Sequence, residues 1–124
     1  MSYSGVGMSV TILGIATTDG VSVCDHLARS AAVAILRIEN GAVVARSQRR
    51  RGLDRCGNHG GFLELLAGCQ AVICGGIGQG AVNALAANGI EPIVLAAPLS
   101  IDEAIAGYLG GSLVTTDERV CLCG

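Results

Sequence analysis

The first half of the chain alternates apolar, β-branched runs with short polar breaks. Residues 10–16 form one such run, closed by the polar sequence Thr-Thr-Asp-Gly at 17–20, which predicts a strand followed by a turn. Two further runs, at 31–38 and 42–47, flank an Asn-Gly pair at 40–41. Because Asn-Gly between apolar runs is a strong β-hairpin signal, these two strands are predicted to pair antiparallel.

The second half changes to a helical period interrupted by short buried strands. The first element that this pattern predicts is a short helix with Phe62, Leu65, Leu66 and Cys69 on one face. It is followed by a strand at 70–74, a helix at 81–88, a strand at 90–95 and a helix from Ser100 to about Leu109. Ser100 and Glu103 match a capping box at the start of the last helix. A strand–helix–strand unit is normally parallel and right-handed, so the pattern predicts an α/β fold with a mixed five-stranded sheet and flanking helices.

Size and composition indicate one cytoplasmic domain. The chain has 124 residues, 51% of them apolar, and shows neither an internal repeat nor a linker, so residues 1–124 are predicted to form a single domain. No apolar run approaches the ~20 residues that cross a bilayer, and the first residues lack the basic and apolar blocks of a signal peptide. We therefore expect a cytoplasmic location, where the six cysteines are thiols or metal ligands rather than disulfides.

The formal net charge of −2 gives no general attraction to nucleic acid or to an anionic membrane, so neither is a predicted partner. The basic residues are nevertheless distributed unevenly. All eight are arginine, and five of them lie within ten positions, namely Arg46, Arg49, Arg50, Arg51 and Arg55. The part of this segment after Ser47 is predicted to be a loop that is either simply solvated or clamps an anion through charge-assisted hydrogen bonds.

A glycine-rich segment at 75–80 follows one predicted strand and precedes a helix. Gly76 and Gly78, with Ala81, match a relaxed dinucleotide-binding pattern. The backbone amides of Gly75, Gly76 and Gly78 are candidates for contacting an anionic cofactor at the helix start. However, no acidic residue ends the following strand to bind a ribose hydroxyl, and no P-loop Lys-Ser/Thr is present. The segment is therefore predicted to be structural or anion-contacting, without nucleotide specificity.

Thiol and imidazole side chains occur in pairs that could bind a soft metal. The candidate ligands are Cys24 with His26, Cys56 with His59, and Cys121 with Cys123. Thiolates together with imidazole suit iron–sulfur units, zinc or copper(I). The spacing is not the doubled Cys-x-x-Cys of a structural zinc site, and the alternative is that each cysteine is a small buried hydrophobe and each histidine a surface residue. Cys69 and Cys74, in apolar surroundings, are assigned to the core.

Two segments of the chain resemble the dinitrogenase iron–molybdenum cofactor biosynthesis family. One is Asp19-Gly20 followed by Val23, His26 and Arg29. The other, more specific, starts at His59-Gly-Gly, continues as Cys-Gln-Ala-Val-Ile-Cys-Gly-Gly-Ile-Gly-Gln-Gly-Ala at 69–81, and ends at Asn-Gly-Ile at 88–90. With Glu-Asn-Gly at 39–41, the resemblance covers about residues 9–110. It implies a ribonuclease-H-like fold and a carrier or scaffold for iron–sulfur precursors of the nitrogenase cofactor, in which His26 contacts the cluster and Arg29 is its basic neighbour.

Three functions from different classes are consistent with these observations. The preferred one is a non-catalytic binding or carrier protein for an iron–sulfur or iron–molybdenum precursor cluster, partnered by a cofactor-assembly or acceptor protein. The second is a regulatory or scaffold domain that binds a protein or a small anion. The third, least favoured, is a nucleotide-dependent enzyme, because neither histidine lies in a nucleophile motif and no carboxylate pair has a distinctive context.

Overall fold

The computed structural model describes residues 10–27, 30–50, 66, 68–115 and 120–121. Its strands and helices are, in chain order, β1 (Val10–Thr17), β2 (Ala32–Glu39), β3 (Ala42–Arg50), β4 (Ala71–Cys74), β5 (Ile77–Gly78), α1 (Gln79–Ala87), β6 (Glu91–Val94), α2 (Ile101–Gly110) and β7 (Val120–Cys121). Five strands form one sheet in the order β3-β2-β1-β4-β6, and β5 pairs with β7 separately.

This architecture confirms the predicted α/β class, with a mixed five-stranded sheet and two described helices. The finer ribonuclease-H-like classification stays a prediction. The helix predicted over residues 62–69 lies almost wholly outside the described residues.

The antiparallel half of the sheet follows from the Asn-Gly turn. β1 pairs antiparallel with β2, and β2 pairs antiparallel with β3. Asn40 has φ 54° and Gly41 has φ 81°, and two positive φ values are what a type I′ hairpin turn requires. One β-bulge interrupts the β2–β3 ladder: Arg37 lies opposite Ala45 and Ile38 opposite Val43, which leaves an extra residue on β3.

The parallel half carries the two helices. β4 lies parallel to β1 and β6 lies parallel to β4, with α1 connecting β4 to β6. Alternate side chains of β1 enter apolar clusters on opposite faces of the sheet. Leu13 and Ile15 belong to one cluster with Ile101 of α2, whereas Ala16 belongs to the other with Leu85 of α1. The sheet therefore supports one helix on each face.

The arginines after Ser47 were predicted to lie in a loop, and this prediction was wrong for Arg49 and Arg50. β3 continues to Arg50, so Arg46, Arg49 and Arg50 lie on a strand. The backbone of β2 offers hydrogen-bonding partners as far as Ala32, which lies opposite Arg50. All nine residues of β3 are exposed, and an exposed edge strand tolerates charged side chains. Arg51 and Arg55 lie outside the described residues.

The glycine segment also contains more regular structure than the sequence indicates. Ile77–Gly78 forms β5 by pairing in parallel with Val120–Cys121. α1 then begins at Gln79, earlier than the predicted residue 81. The pairing joins segments far apart in the chain, so no local pattern could reveal it.

α2 begins and ends at the predicted signals. The hydroxyl of Ser100 accepts the Glu103 amide proton at 3.1 Å, and the Glu103 carboxylate accepts the Ser100 amide proton at 2.9 Å, which confirms the capping box. Gly111, with φ 70°, forms a left-handed cap after the last residue. Among the helices that the structure describes, none is long and apolar enough to cross a membrane.

Candidate functional site

The candidate site lies where the loops after β1 and β4 leave the sheet. These strands are parallel neighbours, so their carboxyl ends lie at the same edge. β1 continues to β2 on one side, whereas β4 continues through α1 to β6 on the other. In an open α/β sheet, ligands usually bind at the point where the connections from two neighbouring strands leave in opposite directions along the sheet. Cys24 and His26 follow β1, and Gly75, Gly76 and Gly78 follow β4, so the fold brings both predicted groups to this edge.

Polar side chains shape the first turn of the loop after β1. Thr17 is fully buried; its hydroxyl donates to the Ser22 carbonyl at 2.7 Å and accepts from the Gly20 amide at 2.9 Å. The Asp19 carboxylate accepts from the Ser22 and Val21 amides, both at 2.9 Å. These backbone hydrogen bonds hold the pKa of Asp19 below its ordinary value. The Asp19-Gly20 motif therefore has a structural role in this turn.

The loop is then fastened to its neighbours through the backbone. The Cys24 amide donates to the Ala16 carbonyl at 2.7 Å, which keeps the loop against the end of β1. The Val23 amide donates to the Leu99 carbonyl at 3.0 Å, which ties the loop to the segment before α2. The backbone hydrogen bonds of Val23 and Cys24 thus fix the position of Cys24.

The glycine segment contacts this loop directly. The Gly75 amide donates to the Cys24 carbonyl at 2.8 Å, and the Leu27 amide donates to the Gly76 carbonyl at 2.8 Å. A Cβ atom on Gly75 would lie 2.8 Å from the Cα of Asp25 and 3.0 Å from the Cys24 carbonyl oxygen. Because both neighbours are backbone atoms, only glycine permits this approach. The glycine pattern predicts a role for these residues, but no local pattern identifies the loop that they contact.

The second part of the glycine segment leads into α1. Gly78 is the N-cap residue, and its position provides no side-chain hydrogen bond to the first turn of the helix. No acidic residue lies in that turn either. The first amides of a helix carry partial positive charge and prefer a negative partner. The helix start is therefore compatible with the predicted anion contact.

Cys24 and His26 are close together but have different surroundings. The Cys24 thiol is buried; it donates to the His26 carbonyl at 3.1 Å and accepts from the Thr18 hydroxyl at 3.4 Å. The His26 ring is partly buried, and its Nδ1 is a buried atom with no hydrogen-bond partner among the described residues. Leaving a buried polar atom unpaired costs about 1–3 kcal/mol. Local hydrogen bonding therefore does not explain why this nitrogen lies where it does.

Two other thiols lie in the core, as predicted. Cys69 and Cys74 are free and buried. Burial raises the pKa of Cys74 to about 12, although a hydrogen bond from the Gly76 amide opposes part of the increase. Burial also raises the pKa of Cys69. Because the thiolate is the form that binds metals and attacks electrophiles, neither residue is suited to do so at neutral pH.

Most of the other residues predicted to bind the cluster lie outside the described part of the chain. Arg29, Cys56, His59 and Cys123 lie outside the described residues. Cys121 is opposite Gly78 in the β5–β7 pair, which brings its backbone to the glycine segment. Within the part of the chain that the structure describes, no group of three or more His, Cys, Asp or Glu side chains is placed to hold a metal ion. The full ligand set therefore stays a prediction.

Thr17 and Thr18 belong to this site although the sequence analysis did not single them out. Thr17 holds the turn, and Thr18 donates to the Cys24 thiol. The sequence signal for these residues was a pair of threonines at the end of an apolar strand. A hydroxyl that becomes buried there needs a hydrogen-bond partner.

Comparison with known proteins places the chain in a family. The sequence matches the family described as dinitrogenase iron–molybdenum cofactor over residues 9–111. The chain belongs to this family. The match includes both loops at the candidate site and all of the five-stranded sheet. No curated protein matches the chain by sequence.

Solved structures share the fold of this family member. The protein PH0822 is 22% identical, with a TM-score of 0.76 over 88% of this chain and 97% of that one. A Methanocaldococcus jannaschii protein provisionally named a dinitrogenase is 15% identical, with a TM-score of 0.68 over 88% and 97% of the two chains. A Thermotoga protein provisionally named a NifB protein, of the DUF35 family, is 20% identical, with a TM-score of 0.69 over 86% and 94%. At these identities the similarity establishes the fold alone.

Proposed function

We propose that this protein binds and carries an iron–sulfur or iron–molybdenum precursor cluster in the cytoplasm, without catalysing a reaction. Its second partner in this proposal is a cofactor-assembly or acceptor protein that receives the cluster. The observation that carries the proposal is the buried Nδ1 of His26, which has no hydrogen-bond partner among the described residues and lies in the same loop as the Cys24 thiol. Membership of the dinitrogenase iron–molybdenum cofactor family supports the choice of cargo.

The chemistry of these two side chains suits such a cargo. Imidazole and thiolate are ligands that iron–sulfur units accept. The Cys24 thiol donates to the His26 carbonyl and, at 4.0 Å, to the Asp25 carboxylate, and it accepts from the Thr18 hydroxyl. Binding a cluster would exchange these weak sulfur hydrogen bonds for a metal bond. His26 is partly exposed whereas Cys24 is buried, so in this proposal His26 meets the cluster first. Arg29 is the proposed counter-charge.

The glycine segment supports an anionic cargo rather than a nucleotide. The uncapped start of α1 and the absence of acidic residues in its first turn favour negative charge there. β6 ends at Val94 and is followed by Leu95, so no carboxylate is present at the position that binds ribose in dinucleotide sites. Of the three glycines named from the sequence, Gly75 donates its amide to the Cys24 carbonyl and Gly76 donates its amide to the Cys74 thiol. The proposed anion contact therefore rests on Gly78, the N-cap residue of α1.

Anaerobic reconstitution with ferrous iron and sulfide tests the proposal. The wild-type protein is expected to bind iron and to gain the broad visible absorption of an iron–sulfur cluster. His26→Ala and Cys24→Ala should each weaken loading by more than the tenfold to hundredfold that loss of a supporting residue costs. Cys69→Ala is the matched control, because it removes a buried thiol of raised pKa and leaves the candidate ligands in place.

The melting temperature of each variant separates loss of ligand from loss of fold. Equal iron uptake by the wild-type protein and by both ligand variants would contradict the proposal. The scaffold function would then be preferred, because the fold and the polar turn at Thr17 do not depend on a cluster.

A further inference from the structure

The outer edge of β3 is an exposed strand edge that the candidate site does not use. β3 is the terminal strand of the sheet order, so one row of its backbone amides and carbonyls pairs with β2. No described strand pairs with the other row. β3 is nine residues long and exposed throughout, which is unusual because natural edge strands are commonly short or covered.

The ionisable side chains of this edge are all basic. Within β3 the ionisable side chains are Arg46, Arg49 and Arg50, and the strand contains no carboxylate. Arg46 and Arg50 share one face because side chains alternate along a strand. That face lies on the side of α2, since Arg46 Nη1 is 3.4 Å from Asp102 Oδ1. The side chains of this ion pair are 46% and 88% exposed, so it holds Arg46 only weakly.

The regular part of the edge lies after the bulge. From Ala45 to Arg50 the register with β2 runs without interruption, opposite Arg37 to Ala32. An added strand would therefore have an uninterrupted run of backbone partners here. Gln48, between the two arginines on the same face, also lies near the site loop: a Cβ on Gly20 would be 3.6 Å from its Oε1.

A second copy of this chain is a poor occupant of the edge. Antiparallel self-pairing centred on Gln48 would place Arg46 opposite Arg50, and like charges directly opposite each other destabilise a sheet. The other terminal strand, β6, contains Pro92, which has no amide to donate to a ladder. An incoming strand with acidic residues at alternate positions would instead place carboxylates opposite the arginines and complete the backbone ladder.

We propose that β3 binds an extended acidic segment of a partner protein by addition of an antiparallel strand along Ala45–Arg50. Backbone hydrogen bonds would supply the general affinity, and ion pairs with Arg46 and Arg50 would select the acidic partner. This proposal rests on the edge alone and does not require that the protein carry a cluster.

The test uses a fluorescent ten-residue peptide of alternating glutamate and valine and measures its binding by fluorescence anisotropy. A peptide in which lysine replaces glutamate controls for charge, and a glutamate peptide with N-methylated backbone amides on one edge controls for strand addition. Only the unmethylated acidic peptide is expected to bind. Its binding should slow hydrogen exchange at outward-facing amides of Ala45–Arg50.

Charge-reversal variants locate the binding site. Arg50→Glu should weaken peptide binding about tenfold, since an attractive cross-strand pair becomes a repulsive one. Arg37→Glu makes the same change in net charge on β2, away from the outer edge, and should leave binding nearly unchanged. Equal weakening by both variants, equal binding of the methylated peptide, or no binding of the acidic peptide overturns the proposal. If self-association of the protein competes with peptide binding, the edge binds a second copy of the chain, and the proposal is overturned as well.

Discussion

Substitution of Gly75 by alanine tests the contact that builds the candidate site. The added methyl would lie 2.8 Å from the Cα of Asp25 and 3.0 Å from the Cys24 carbonyl oxygen. Carbon atoms in contact prefer separations of about 3.5–4.0 Å, so the two backbone segments must move apart by several tenths of an ångström. That movement lengthens the 2.8 Å hydrogen bond from the Gly75 amide to Cys24.

The expected cost combines overpacking with a weakened backbone bond. Overpacking in a packed interior costs about 1–3 kcal/mol, and an intramolecular hydrogen bond contributes about 0.5–1.5 kcal/mol. We therefore expect Gly75→Ala to lower the free energy of unfolding by about 2–4 kcal/mol. For a domain of this length, the melting temperature should fall by very roughly 4 °C for each kcal/mol.

Urea denaturation followed by far-ultraviolet circular dichroism measures this change. Gly110→Ala is the matched control: Gly110 lies in α2, and its added Cβ would be 3.9 Å from the Ser112 hydroxyl, an ordinary contact. It should leave stability unchanged or raise it by up to about 1 kcal/mol, because alanine favours helix over glycine. If Gly75→Ala is as stable as Gly110→Ala, the close approach of the two loops does not exist as described.

Two further predictions concern the helix cap and the buried thiol. Ser100→Ala removes the hydroxyl that accepts the Glu103 amide, and the free energy of unfolding should fall by about 1 kcal/mol in urea titration; an unchanged value would mean that the capping box contributes nothing. Cys74, with its pKa raised from 9.0 to about 12, holds its proton more tightly in the folded state. The stability that this pKa shift contributes is fully present below pH 9, the pKa of the thiol in the unfolded chain, and is lost as the pH rises toward 12. Between these pH values the free energy of unfolding should therefore fall less steeply with pH for Cys74→Ala than for the wild type. If the free energy of unfolding falls equally steeply with pH in the two proteins, the pKa of Cys74 is not raised by burial.

Much of the architecture was predictable because its signals are local. Asn40-Gly41 specifies a turn through the φ angles that these two residues tolerate, so the β2–β3 hairpin could be predicted from adjacent positions. The Ser100–Glu103 capping box acts over three residues and predicted the start of α2. The apolar setting of Cys69 and Cys74 likewise predicted their burial, because burial follows from the period of the strand and its neighbours.

The candidate site was only partly predictable. The resemblance to a cofactor family pointed to His26 and to the glycine segment; the family match confirms the family, and the choice of site residues stays a prediction. The sequence could not indicate that the two are joined, because the bonds from Gly75 to Cys24 and from Leu27 to Gly76 connect segments about fifty residues apart. It also gave no sign that His26 Nδ1 is buried with no hydrogen-bond partner in the described part of the chain.

The tertiary structure decided these features because each depends on which strands become neighbours. Strand order brought β1 beside β4 and so placed their two loops at one edge of the sheet. Pairing with β2 extended β3 beyond the predicted end at Ser47, through Arg49 and Arg50, which had been predicted to lie in a loop. Local torsional preferences and hydrophobic period determine which segments become strands and helices, whereas long-range pairing determines which side chains meet.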